Sequence, residues 1–311
     1  MPGDSSIAGR MTSSRSISRD APDRGNLPAA GFMTGAMAMF AVEDAAIKLL
    51  GLRLPTGEIV AVIGAFGLTV FWLLLAREGG RMLTRDLLRP VVLLRNAGEL
   101  VGTLCFVTAL RLTDLASASA ILQALPLALV LGAALFLGER VGWRRWAAIL
   151  AGFVGVLMIV RPGMAGFEPA SLLALIAVGG LAVRDLSTRR MPRHVASHLL
   201  SGSAYGVMVP GGLALAALQG TPLLVPTAVE AAAFVACVAV GVAGYAMMVM
   251  ATRVGEASMV APFRYTRLVF ALILAVTLFG ERPDAMTLAG AAIICASGGF
   301  AMWREFRRAR A

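Results

Sequence analysis

Seven of the ionisable side chains inside apolar runs of this chain have types and spacing that suit three kinds of chemistry. Glu43, Asp44 and Lys48 lie within "MFAVEDAAIKLLG", Arg95 and Glu99 four apart in a second run, and Arg264 and Arg267 three apart in a third, just after Pro262. The first chemistry is internal ion pairing. Asp44 and Lys48 have the i, i+4 spacing that places both on one helix face, as do Arg95 and Glu99. Glu43 is turned about 100° from Asp44 and cannot share that geometry, while Lys48 can also snorkel toward an interface. The second is proton coupling, because Glu43 or Glu99, once removed from water, is suited to exchanging a proton. The third is anion recognition: two guanidiniums on one face beside Tyr265 match a planar carboxylate or phosphate and an aromatic ring. A structural alternative stands beside each, in which the arginines brace Glu43, Glu99 or backbone carbonyls and the carboxylates form static pairs.

These charges need an explanation because the elements carrying them look like membrane spans. The chain has 311 residues, 58% of them hydrophobic and 15% charged, with a mean hydropathy of +0.80. A soluble domain carries about 25% charge, so the composition specifies an integral membrane protein. Breaks at Arg, Pro and Gly clusters delimit ten apolar runs, at 29–50, 57–76, 90–110, 116–137, 146–160, 170–186, 195–218, 228–250, 258–279 and 287–303. The fifth and sixth are short for a hydrocarbon core of roughly 30 Å. Residues 1–27 are polar and lack the apolar core of a signal peptide; they read as a disordered tail, with Met11 as an alternative start. The net charge of +10 could suggest nucleic acid, but its distribution argues for topology instead. Twenty of the 28 Lys and Arg residues fall on one side of the predicted spans and four on the other. By the positive-inside rule this places both termini in the cytoplasm.

The chain also repeats itself. A shift of 142 aligns Gly138-Glu139-Arg140 with Gly280-Glu281-Arg282, Arg111 with Arg253 and Gln123 with Tyr265; a shift of 141 aligns Asp44 with Asp185 and Lys48 with Arg189. Five predicted spans lie in each half, and an odd number inverts the second half relative to the first, a mark of secondary transporters. Gly31/Gly35, Gly98/Gly102 and Gly202/Gly206 have the small-residue spacing that lets helices approach closely in lipid. Arg184 and Asp185, at the end of the sixth run, suit a gating pair or an interfacial pair, and Gln123 suits a cavity lining or a helix–helix hydrogen bond. His194 and His198 have metal-compatible spacing without a Cys or carboxylate to complete a set. Cys105, Cys237 and Cys295 lie singly, in no disulfide or metal pattern. No phosphate-binding loop is present. An integral membrane enzyme would need a compact acid–base constellation, whereas the three core carboxylates sit on two helices without a histidine. A structural or sensory membrane protein is the other alternative.

"LGERVGWRRW" after the fourth run, "APFRYTRLVFAL" in the ninth and "LFGERPDAMTLAGAAIICASGGFAMWRE" at the end resemble EamA-type members of the drug/metabolite transporter superfamily. The resemblance covers nearly all of 28–305 and implies a ten-helix inverted-repeat carrier with a central cavity. It points to substrates such as S-adenosylmethionine, riboflavin or amino acids. Relatives often place Asp at the position of Arg264 and Ser at that of Arg267, so this chain reverses the sign there. The expectation is an all-α, ten-span inner-membrane secondary carrier, with halves at 28–163 and 168–304. It would bind a small solute through Glu43, Asp44, Arg95, Glu99, Gln123, Arg264, Tyr265 and Arg267. Glu43, Glu99, Lys48, Arg184 and Asp185 are the coupling or gating candidates. Lipids are the other expected partners; no cofactor, metal or nucleic acid is expected, and the oligomeric state is open.

Overall fold

The computed structural model describes residues 26–138, 142–164, 167–191, 195–254 and 260–309, and all regular elements among them are helical. The helices are α1 (Asn26–Leu50), α2 (Thr56–Arg77), α3 (Pro90–Leu112), α4 (Leu115–Leu122), α5 (Leu125–Phe136) and α6 (Trp143–Val160) in the first half. The second half has α7 (Ser171–Arg189), α8 (Ser197–Leu218), α9 (Ala228–Val254), α10 (Thr266–Phe279) and α11 (Ala285–Ala309). Short 3-10 turns cover Arg85–Leu88 and Ala261–Tyr265. Residues 1–25, Glu139 and Arg140, His194 and the start of the ninth run lie outside the described residues.

Among the described residues, eight helical stretches are long and apolar enough to cross a bilayer: α1, α2, α3, α4 with α5, α7, α8, α9 and Pro262–Phe279. The sixth predicted run, short in the sequence, becomes a full-length helix by continuing to Arg189. Two of the predicted runs fall on shorter apolar helices instead, Trp146–Val160 and Ala285–Ala301. Large apolar side chains such as Trp72, Leu73, Leu150 and Ile273 point outward, as expected where lipid rather than water surrounds the helices.

Packing obeys an exchange rule. α1 packs along α9 and α3 along α7, while α2 pairs with α8, α6 with α11, and α4 with α10. Swapping the halves maps the α1–α9 contact onto α3–α7 and the α2–α8 and α6–α11 contacts onto themselves, as a pseudo-two-fold axis in the membrane plane requires. Helix backbones approach closely at these crossings. At the α3–α7 crossing a Cβ on Gly98 would lie 2.7 Å from the Gly180 carbonyl oxygen, so one member of the Gly98/Gly102 pair could not be enlarged without parting the helices.

The fourth and ninth runs are both broken, and at equivalent places. α4 ends at Leu122 and α5 begins at Leu125, with Pro126 unable to donate a backbone hydrogen bond across the junction. In the second half the 3-10 turn opens with Pro262 near its start and gives way to α10 at Thr266. The bend expected from Pro262 is thus a change of helix type rather than a kink in one α-helix. Gly138 and Gly280, the glycines of the repeated Gly-Glu-Arg element, both take left-handed φ values, 68° and 63°. Each follows the end of its helix, at a position where a side chain is disfavoured by roughly 1–2 kcal/mol.

Candidate functional site

The predicted charges meet at the crossings of α1, α3, α7, α9 and α10, but in pairings that local spacing did not foretell. Asp44, 2% exposed, is bound by Arg267 rather than by Lys48. Arg267 donates through Nε to Oδ2 at 3.0 Å and through Nη2 to Oδ1 and Oδ2 at 2.7 and 2.8 Å, while the Phe40 ring lies 5.5 Å from its guanidinium. Two planar groups satisfying one another in this way form a strong, directional pair. It ties the first helix of one half to the ninth run of the other.

Arg184 makes the corresponding tie on the other side. Its Nη1 reaches Glu99 Oε1 at 3.1 Å and its Nε reaches Asp185 Oδ1 at 2.7 Å. The sequence left Arg184 and Asp185 as a gating or interfacial pair; the two do pair, and Arg184 also joins Glu99 at the α3–α7 crossing. Glu99 therefore pairs across helices and not with Arg95. Arg95, 9% exposed, donates to Thr188 Oγ1, Asn96 Oδ1 and the Leu200 carbonyl at 3.1, 3.3 and 3.1 Å. That makes it a brace between α3, α7 and α8. Tyr265, expected beside the two arginines at the substrate site, packs its buried hydroxyl on Gly298 of α11, where it has no hydrogen-bond partner among the described residues.

Besides Arg95, whose partners are neutral, two of the predicted charges remain without an ion pair among the described residues. Glu43 is half-buried against Gly241 of α9. Arg264 is exposed; its guanidinium contacts the Met248 sulfur at 3.7 Å, and Gln123 Nε2 donates to its backbone carbonyl at 3.2 Å. Gln123 thus bridges the two helix breaks. Tyr205, which sequence reasoning missed, lies flat against Gly67 and stacks on Phe71 at 5.6 Å, beside the charges of Glu43, Glu99 and Arg184. Its only sequence signal was rarity, the chain having 3 tyrosines.

A second polar layer closes the face opposite the chain termini. Lys48 pairs with Glu281 at 3.1 Å, and Glu281 accepts from the Leu115 and Ala116 amides at 2.8 and 3.1 Å. A carboxylate at the start of α4 is favoured by the helix dipole. This contact gives the glutamate of the second Gly-Glu-Arg element its role. Glu58 accepts from the Leu224 amide at 2.8 Å, Arg53 pairs with Glu230 at 2.5 Å, and Arg161 binds Asp284. In the loops, burial and the charge of Glu281 push the Asp114 carboxyl above its ordinary range against the pull of Lys48. Burial and Asp114 push Glu168 up likewise, whereas the Arg161 hydrogen bond holds Asp284 well below its range. On the termini face His198 lies 3.1 Å from Glu78. Among the described residues no group of three metal-ligating side chains forms.

Comparison with known proteins agrees with this architecture. Residues 27–161 and 169–302 each match the EamA-like transporter family. The chain is 27% identical over 276 residues to an S-adenosylmethionine uptake transporter of Rickettsia bellii, covering 88% of this chain and 93% of that one. It is 33% identical to a riboflavin transporter of Rhizobium johnstonii (68% and 69% covered). It is 29% identical to a pseudopaline exporter of Pseudomonas aeruginosa (82% and 89% covered). A solved crystal structure superposes with a TM-score of 0.60 at 22% identity over 87% of this chain and 97% of that one, a likeness of fold. The chain is therefore a multi-pass membrane protein that belongs to the EamA-like transporter family, with one family repeat in each half.

Proposed function

We propose that this protein is a secondary carrier that moves a small metabolite across the inner membrane by alternating access. Transport of a small metabolite follows from the family and from relatives named for both uptake and export. The observation that carries the mechanism is the exchange-symmetric packing: two halves whose contacts are interchangeable have two equivalent arrangements, and passing between them exposes a central site to each side in turn. In this reading all ten apolar segments cross the bilayer, with α6 and α11 the thinnest crossings. The Arg-rich face and both termini are cytoplasmic.

The charged side chains then divide by role. Asp44–Arg267 and Glu99–Arg184 hold the halves together at the centre, and Arg95 braces α3 from within. Arg264 and Gln123 face the cargo. Lys48 and Glu281 close the outer face. Glu43 is the coupling candidate, because a carboxylate lodged without a cation inside a bilayer is costly and proton uptake removes that cost. The test is counterflow: proteoliposomes loaded with a metabolite extract and diluted into labelled solute, read by mass spectrometry. A carrier exchanges particular solutes saturably and faster than empty liposomes; equal rates for every solute would overturn the reading.

A further inference from the structure

Each half of the repeat serves as a control for the other. Glu43 and Arg184 are equivalent at a shift of 141, and Glu99 and Gly241 at a shift of 142. Where α3 crosses α7, Arg184 meets Glu99 at 3.1 Å. At the equivalent crossing of α9 and α1, Glu43 lies against Gly241, and a Cβ there would sit 2.8 Å from its Oε1. The position that would complete a symmetric ion pair thus has no side chain. Arg267 is already committed to both oxygens of Asp44.

Arg264 presents the opposite charge with the same history. Its counterpart is the apolar Leu122, so the fold symmetry does not call for a cation there. The carboxylate whose charge acts most on it, Asp185, is hydrogen-bonded to Arg184. The two unpaired groups also share a neighbour: Glu43 rests against Gly241 and Arg264 against Met248, seven residues further along α9, so on one face of that helix and about 10 Å apart along its axis. The Asp44–Arg267 bridge ties together the elements that carry them.

We infer that Glu43 and Arg264 are the two poles of one recognition site, and that the cargo is a zwitterion whose cationic group meets Glu43 and whose carboxylate or phosphate meets Arg264. This rests on the carrier reading and adds the charge pattern of the cargo. A solute with one charge leaves one pole unpaired when it fills the site. A solute with both satisfies each with a charge-assisted hydrogen bond, and Arg264 can offer a carboxylate its two-pronged fork. A site built for both poles rejects analogues lacking either one, because the abandoned protein charge is then desolvated without a partner.

The experiment is a thermal-shift and binding screen of purified full-length protein. The panel holds the common amino acids, S-adenosylmethionine, N-carboxyalkyl amino acids, matched amines and carboxylic acids lacking one charged group, and riboflavin. Binding solutes should be zwitterions. Glu43→Gln and Arg264→Leu should each weaken them about 10- to 100-fold, the worth of a charged hydrogen bond, with unliganded melting temperatures near that of the native chain. An acid lacking the amine should bind weakly and be indifferent to Glu43→Gln. The inference is overturned if no zwitterion raises the melting temperature, or if a neutral or singly charged solute binds best and ignores both substitutions. Counterflow separates the two failures. A neutral solute that binds and is exchanged leaves the carrier standing without the zwitterion; a zwitterion that binds but is never exchanged removes the carrier.

Discussion

Arg267 and Arg264 lie three residues apart, yet they should fail in opposite ways. Replacing Arg267 with Leu, the residue at its repeat counterpart Leu125, strips Asp44 of all its guanidinium hydrogen bonds while leaving the carboxylate 2% exposed. Breaking a buried ion pair from one side costs about 3–5 kcal/mol. Protonation of the abandoned carboxyl sets a ceiling. At about 1.4 kcal/mol per pH unit, neutralising a group of ordinary pKa near 3.9 costs about 4 kcal/mol at pH 7 and about 1.5 at pH 5. Arg267→Leu should therefore lose about 3–4 kcal/mol at pH 7, and the loss should shrink by roughly half or more on acidification to pH 5. Adding Asp44→Asn should restore much of it, with a coupling energy of order 2–3 kcal/mol. Arg264→Leu, with no ion pair to break, should stay within about 0.5 kcal/mol. The assay is reversible unfolding in mixed micelles at both pH values. Equal stability of the Arg267→Leu and Arg264→Leu proteins would refute the division of labour between bracing and binding arginines.

Other perturbations probe the remaining layers. Asp114, pushed up by burial and Glu281, sits with Glu168 and Glu281 around Lys48. A raised carboxyl favours the fold when protonated and loses that advantage as pH rises, so Asp114→Asn should raise the melting temperature at pH 7 but little at pH 4, and a loss at pH 7 would contradict this. Asp284, held down by Arg161, has the opposite sign, and its stabilising contribution should disappear as pH falls below about 4, a fall that Asp284→Asn should abolish in the stability–pH profile. Glu43→Gln should abolish accumulation driven by a pH gradient while leaving protein in the membrane; unchanged accumulation would exclude Glu43 as the coupling group. Glu281→Gln should loosen the face opposite the termini by weakening both the Lys48 pair and the α4 cap, read as faster labelling of a cysteine placed at Leu115.

The class of protein and its two-fold plan were legible in the sequence because both are written in long-range averages: apolar run length, arginine distribution and the 142-residue recurrence of Gly-Glu-Arg. The charged residues were legible as a set for a similar reason, since a charge in an apolar run has few innocent explanations. Their pairings were not. Spacing of four suggested Asp44 with Lys48 and Arg95 with Glu99, but the partners are Arg267, Glu281, Thr188 and Arg184, contributed by distant segments of the chain. Local periodicity describes one helix, and these bonds depend on which helices cross and at what height. For Tyr265 the position in the break was readable, but its rotation onto Gly298 depended on how α11 packs. Glu281 carried a usable signal in its repetition, without any hint that it would cap α4 of the other half.

Alternating access is tested most directly by asking whether one central position can be reached from both sides. In a background lacking the three native cysteines, Arg264→Cys would be exposed to a membrane-impermeant thiol reagent in right-side-out and inside-out vesicles. Labelling should occur from either side, and a solute gradient should raise one rate as it lowers the other, because opening to one face requires closing to its opposite. Labelling from one face alone under every gradient, or two rates that rise together, would contradict a carrier built from two exchangeable halves.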